Sequence, residues 1–152
     1  MNRAERIAKY AAGYDEVVAA LAGITPAELD AREGPNEWSP RQIVHHLSDS
    51  EMTSAIRIRR IIVENDPLIQ AYDERAFVDS LFTDGPIEPA LAGFAGARAS
   101  TVPILQRMTE EQWAKFGTHS ETGIMTAESW LEYYSEHAHD HAAQIRRARA
   151  AV

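Results

Sequence analysis

The sequence predicts an all-α fold, a four-helix bundle with short extra helices in its connections. Three observations carry this expectation. Apolar residues recur at spacings of three and four over four long stretches. The breaks between those stretches hold capping residues, proline and glycine. Alternating, strand-like runs are scarce. A chain of 152 residues predicts one domain over 1–152, able to bury roughly two-thirds of its unfolded surface without disulfide staples.

The first helix is expected from about Asn2 to Leu21, where Ile7, Tyr10, Ala11, Tyr14, Val17, Val18 and Leu21 make one stripe. Gly23 follows its end, where a left-handed residue is cheap for glycine. Thr25-Pro26-Ala27-Glu28 reads as a short capped helix that stops in Arg32-Glu33-Gly34-Pro35. The second long helix has Ser39 as cap, Pro40 in its first turn and Gln42 at the capping-box position. Its stripe is Ile43, Leu47, Ile58, Ile61 and Ile62, and Asn65-Asp66-Pro67 ends it near Glu64. Residues Leu68 to Phe82 are expected to form a loop and a short helix over Glu74–Leu81.

Asp84-Gly85-Pro86 precedes the third long helix, about Glu88 to Met108, with Pro103 as a potential kink. Thr109 to Trp113 reads as another capped turn, and His119 to Ile124 as a loop or brief hairpin. The fourth helix opens at Thr126 and runs to about Ala150. Arg146, Arg147 and Arg149 lie where its negative dipole end falls. Connections of this length, with their own short helices, predict crossovers rather than tight hairpins.

Composition bounds the function. Fifteen basic against 23 acidic residues give a net charge of −8, and an acidic surface repels nucleic-acid backbones. The one mid-chain basic run, Arg57, Arg59 and Arg60, reads as a solvated helix flank. Cysteine is absent, which removes a disulfide framework, a Cys-rich zinc site and a cysteine nucleophile. No apolar stretch is long enough to span a membrane. The charged start, MNRAERIAKY, lacks the apolar region of a signal peptide. A cytoplasmic protein is the expectation.

The histidines carry the chemistry. Five of the six fall into two groups, His45-His46 and His137, His139, His141. His137 and His141 are one helical turn apart on one face, the spacing by which metalloprotease helices present two ligands, without that motif's glutamate. They share the stripe of Trp130, Tyr134 and Ile145, expected to face the core. Buried imidazoles without partners cost roughly 1–3 kcal/mol each, and a metal ion satisfies both. His139 is turned about 200° from His137 and is excluded. His46 borders its own helix's stripe and supplies a third ligand, whereas His45 lies about 100° away and points to solvent or a rim. Three histidines leave a position for water, as catalytic zinc sites do. An isolated pair at this spacing is more often a surface or core feature; its coincidence with His46 on a second stripe favours a metal.

The segment Trp38-Ser39-Pro40-Arg41-Gln42-Ile43-Val44-His45-His46-Leu47-Ser48-Asp49-Ser50 resembles the second-helix motif of the DinB-like superfamily, especially its YfiT-like branch of metal-dependent hydrolases. Ala71-Tyr72-Asp73-Glu74 is similar to that branch's Pro-Tyr-Asp-Glu, with alanine in place of proline. Tyr134 to Ile145 resembles its last-helix His-x-x-x-His motif. The resemblance implies a four-helix bundle in which His46, His137 and His141 hold Zn²⁺ or Ni²⁺. It also implies that a homodimer and a low-molecular-weight thiol cosubstrate, such as bacillithiol or mycothiol, are within the family's range.

Around the three histidines, Asp49 and Ser50 lie one turn past His46 and are candidate partners, against their reading as ordinary flank residues. Gln144 shares a face with His137 and could orient a ligand or substrate. Arg57, three turns beyond His46, is a candidate to hold an anionic group at the bundle mouth, against a plain surface arginine. Tyr72 and Asp73 sit in a segment that could cover the site. Trp130 reads as core. The leading expectation is a metal-dependent hydrolase acting on a small molecule through a metal-bound water, with Asp49 or Asp73 accepting a proton. The alternatives are a thiol S-transferase using a bacillithiol-, mycothiol- or glutathione-type cosubstrate, and a non-catalytic metal- or ligand-binding bundle.

Overall fold

The computed structural model describes residues 1–152. Four long helices, α1 (Arg3–Leu21), α3 (Pro40–Val63), α5 (Glu88–Arg107) and α7 (Ala127–Arg149), form the bundle. Three short helices, α2 (Pro26–Leu29), α4 (Glu74–Ser80) and α6 (Glu110–Trp113), lie in the connections. The caps read from the sequence start these helices. Ser39 accepts from the Gln42 amide while the Gln42 side chain takes the Ser39 amide, and Thr25 and Thr126 form the same box with Glu28 and Ser129. Gly23 adopts φ +66° after α1. Helix α5 starts without a side-chain cap and carries Pro103 within its length.

The helices are not arranged up and down in turn. Successive ion pairs Arg6–Glu132, Lys9–Glu136 and Glu16–Arg146 rise together, so α1 and α7 are parallel neighbours. Gly93 abuts Ser48 and Arg59 reaches Thr101, so α3 and α5 are parallel as well. Ser54 accepts from Trp130 while His46 meets His137, which makes α3 and α7 antiparallel. The parallel neighbours α3 and α5 require a long connection, supplied by the insertion after α3, and a second insertion joins α5 to α7.

Those insertions contain three short strands, β1 (Leu68–Ile69), β2 (Phe116–His119) and β3 (Gly123–Thr126). β2 and β3 form an antiparallel hairpin, and β1 pairs in parallel with β2, Leu68 opposite Thr118. The expected loop over Leu68 to Phe82 therefore begins with a strand, and the hairpin starts before His119. A two-residue strand has no periodicity to read; its partner lies about fifty residues away.

Two apolar clusters fill the bundle. One, with Ile58, Ile61, Trp130 and Leu131, lies toward the sheet; the other, with Val17, Ile43, Phe94 and Ile145, lies toward the far end. Between them runs a polar layer of Glu51, Arg98, His46 and His137, all buried. Arg98 pairs with Glu51 at 2.6 Å and donates to the Tyr10 carbonyl, while the Tyr10 hydroxyl donates to Glu51. Gly13 makes room for this layer: a Cβ there would lie 2.3 Å from Arg98 Nη1.

Candidate metal centre

α3 and α7 bring His46, His137 and His141 together, with one nitrogen of each within 4.8 Å of the others. Nε2 of His46 and Nε2 of His137 face each other at 3.4 Å. Two imidazole nitrogens each ~2.05 Å from a tetrahedral zinc are about 3.3 Å apart, so this edge already has coordination spacing. His46 and His137 are buried, and His141 is half-buried at the site's outer side.

Electrostatics prepare the rings for a cation. Burial, reinforced by the neighbouring His141, lowers the His46 pKa to about 3. Burial and the other two rings lower that of His137 to about 2, and burial also lowers that of His141. Neutral imidazoles keep lone pairs free for a metal. At His141, Nδ1 donates to Gln144 Oε1 at 2.9 Å, which leaves Nε2 unprotonated. His137 Nδ1 is buried without an acceptor. A donor set of three neutral histidines, two already at ligand spacing, fits a divalent transition metal.

The walls are aromatic. Trp38 packs against His46 at 4.8 Å and His141 at 6.5 Å between ring centroids. Tyr133 stacks on His137 at 5.5 Å, and Tyr134 meets it edge-on at 5.7 Å. Neither Trp38 nor Tyr133 was singled out by sequence as a site residue, since an aromatic in a helix stripe is ordinarily core. Trp130 is fully buried, as expected.

The other candidates separate by location. His139 turns to the Lys9 carbonyl at 3.0 Å, and His45 to the Gly85 carbonyl at 3.4 Å, so neither joins the triad. Asp49 is half-buried, its carboxylate makes no hydrogen bond, and burial raises its pKa. Ser50 is buried, and the Tyr72 hydroxyl is enclosed near it. Asp73 caps α4, accepting from the Ala76 amide at 2.9 Å, and also borders a cleft.

That cleft, of about 880 Å³, lies between the β1–α4 segment, the hairpin and the start of α7. Tyr133 and Tyr134 form the partition between it and the histidines. Arg57 corrects the expectation of a solvated flank. It is only 9% exposed, with Nη2 donating to the Gln70 carbonyl at 2.8 Å and Nη1 to the Tyr134 hydroxyl at 3.3 Å. Arg59 and Arg60 stay at the half-buried flank, bonded to Thr101 and Glu64. His119 and Glu74, which sequence did not mark, also line the cleft.

Comparison with known proteins places this geometry. A profile of the DinB superfamily matches residues 9–145. YfiT of Bacillus subtilis, named provisionally as a metal-dependent hydrolase, is 34% identical over 125 residues, covering 80% of this chain and 70% of that protein. The solved structure of YfiT, described as a four-helix bundle of unusual topology, superposes with a TM-score of 0.88 at 29% identity, covering 94% of this chain and 83% of that one. The four-helix bundle protein TT2238 superposes at 0.66 with 20% identity, covering 93% and 96% of the two chains, and supports the fold alone.

Proposed function

Since the chain belongs to the DinB superfamily, we propose that it is a metal-dependent hydrolase of a small molecule, holding one Zn²⁺ or Ni²⁺ on His46, His137 and His141. The observation that carries the reading is the convergence of three neutral imidazoles, two with nitrogens 3.4 Å apart, on buried faces of antiparallel helices. The names of relatives such as YfiT support it. Bound there, a divalent ion supplies Lewis acidity and draws the ionisation of water toward neutral pH.

The chain's own residues do the rest. Gln144 orients His141 through Nδ1. Asp49 is the proton acceptor: it sits one turn from His46, with a carboxylate that no donor occupies and a pKa that burial raises. Asp73, already occupied as a cap, is the weaker acceptor. Ser50 and Tyr72 close the side of the site that faces the cleft. No helix is long and apolar enough to cross a membrane. Cytoplasmic location, homodimerisation and action of residues 1–152 as one domain belong to the same proposal.

Elemental analysis of the purified chain tests it. About one metal ion per chain is expected, with a lower melting temperature in chelator. Well under one ion, with melting unchanged in chelator, would overturn the metal site. Metal-dependent turnover of small ester and amide substrates is expected without added thiol. Turnover that requires bacillithiol, mycothiol or glutathione would replace hydrolysis by thiol transfer at the same three histidines.

A further inference from the structure

Three turns beyond His46 on α3, a cation is buried without an anion. Arg57 belongs to none of the chain's ion pairs, and both of its hydrogen-bond acceptors, the Tyr134 hydroxyl and the Gln70 carbonyl, are neutral. Its Nε–H is enclosed with no acceptor at all. A guanidinium out of water is costly unless an anion accompanies it. Glu74 feels the same charge but forms no ion pair with it, and burial raises the pKa of its carboxyl. The missing anion is therefore expected from outside the chain, through the cleft that Arg57 borders.

A second donor stands beside it. His119, 9% exposed, lines the same cleft, and burial together with the charge of Arg57 lowers its pKa. Its Nδ1 accepts from the amides of Glu121 and Thr122 at 3.3 Å each, so the neutral ring carries its proton on Nε2. The rim bears the carboxylates of Asp73, Glu74 and Glu121, and the walls include Tyr72 and Tyr133. The rim carboxylates oppose a dianion more strongly than a monoanion, so a singly charged group is the better match for the one buried cation. The aromatic walls suit an apolar body behind the charged group.

We propose that this cleft binds the carboxylate of a small aromatic or apolar monocarboxylate through Arg57, with His119 as second donor. The binding needs no metal; only its catalytic use rests on the hydrolase reading.

Benzoate, its neutral counterpart benzamide, and inorganic phosphate are the probes, titrated into the ¹⁵N-labelled full chain with zinc and after chelation. The readout is the Arg57 Nε–H signal, assigned by its loss in Arg57→Lys. Benzoate is expected to shift it saturably in the zinc-loaded protein and, where the chelated chain stays folded, there too. Benzamide should not move it, and phosphate should act more weakly than benzoate. Arg57→Gln should weaken benzoate about thirtyfold or more. Should that variant not fold, the Nε–H signal of the wild type decides. An unmoved signal at high benzoate, an equal response to benzamide, or a stronger response to phosphate would overturn the proposal. So would benzoate binding that vanishes with the metal from a still-folded chain, because the carboxylate would then sit on the metal. Failure of the hydrolase reading shows separately, in metal content and turnover.

Discussion

At His141 the ring is held by Gln144 Oε1 on Nδ1, which leaves Nε2 for a ligand role. Gln144→Leu removes this restraint while keeping similar volume. It should weaken metal affinity about tenfold or more with the fold intact, measured by competition against a chelating dye. Proton linkage gives a second prediction. In the unfolded chain the three rings protonate near their ordinary pKa of 6.5, whereas in the metal-free fold His46 and His137 wait until about 3 and 2. Between those limits the unfolded state binds more protons, so metal-free stability falls as pH drops below about 6.5 and is indifferent to these groups above it. Urea midpoints of chelated protein across that range should show the fall, and bound metal should shift its onset. The triad itself was legible because helix periodicity fixes which histidines share a face. Arg57 was legible only as a choice between an anion holder and a surface arginine, because its acceptors come from α7 and the segment after β1, which no local pattern connects to it.

Among the elements, helix starts were the most legible features, since a cap is a local exchange of hydrogen bonds among four residues. Ser39 illustrates it: its hydroxyl and the Gln42 side chain satisfy each other's amides where α3 begins, two turns before His46. Ser39→Ala should cost about 1 kcal/mol, read from thermal melting, with the three histidines left in place. The strands were nearly invisible by comparison. β1 has two residues, and it exists because Thr118 and Ser120 amides find the Pro67 and Ile69 carbonyls. That pairing is decided by where α3 and α7 carry their ends, not by the residues of β1 itself. The same pairing builds the wall of the cleft.

Across the whole molecule, the polar layer between the two apolar clusters is the main feature that sequence did not disclose. Glu51 and Arg98 read as ordinary helix charges until α1, α3 and α5 meet, and Gly13 reads as a weak helix position until Arg98 fills its space. Arg98→Met should cost about 3–5 kcal/mol in urea unfolding, because Glu51 stays buried with its charge unpaired. Changing Glu51→Leu together with Arg98→Met should cost much less than the two singles combined. A double-variant penalty equal to the sum of the two singles would show that packing, not charge, dominates this layer.

The parallel course of α1 and α7 also sets how the molecule bears load. Their lateral pairs ascend in step, so the chain enters at one end of this helix pair and leaves at the other. At 1.5 Å per residue, the 23 residues of α7 set the two ends about 35 Å apart. Tension applied through the termini therefore slides α1 against α7 along their full contact, loading all lateral pairs at once instead of opening them in turn. A single molecule pulled by its ends should resist more strongly than one pulled from the start of α1 and the start of α7, where the same contacts unzip one by one.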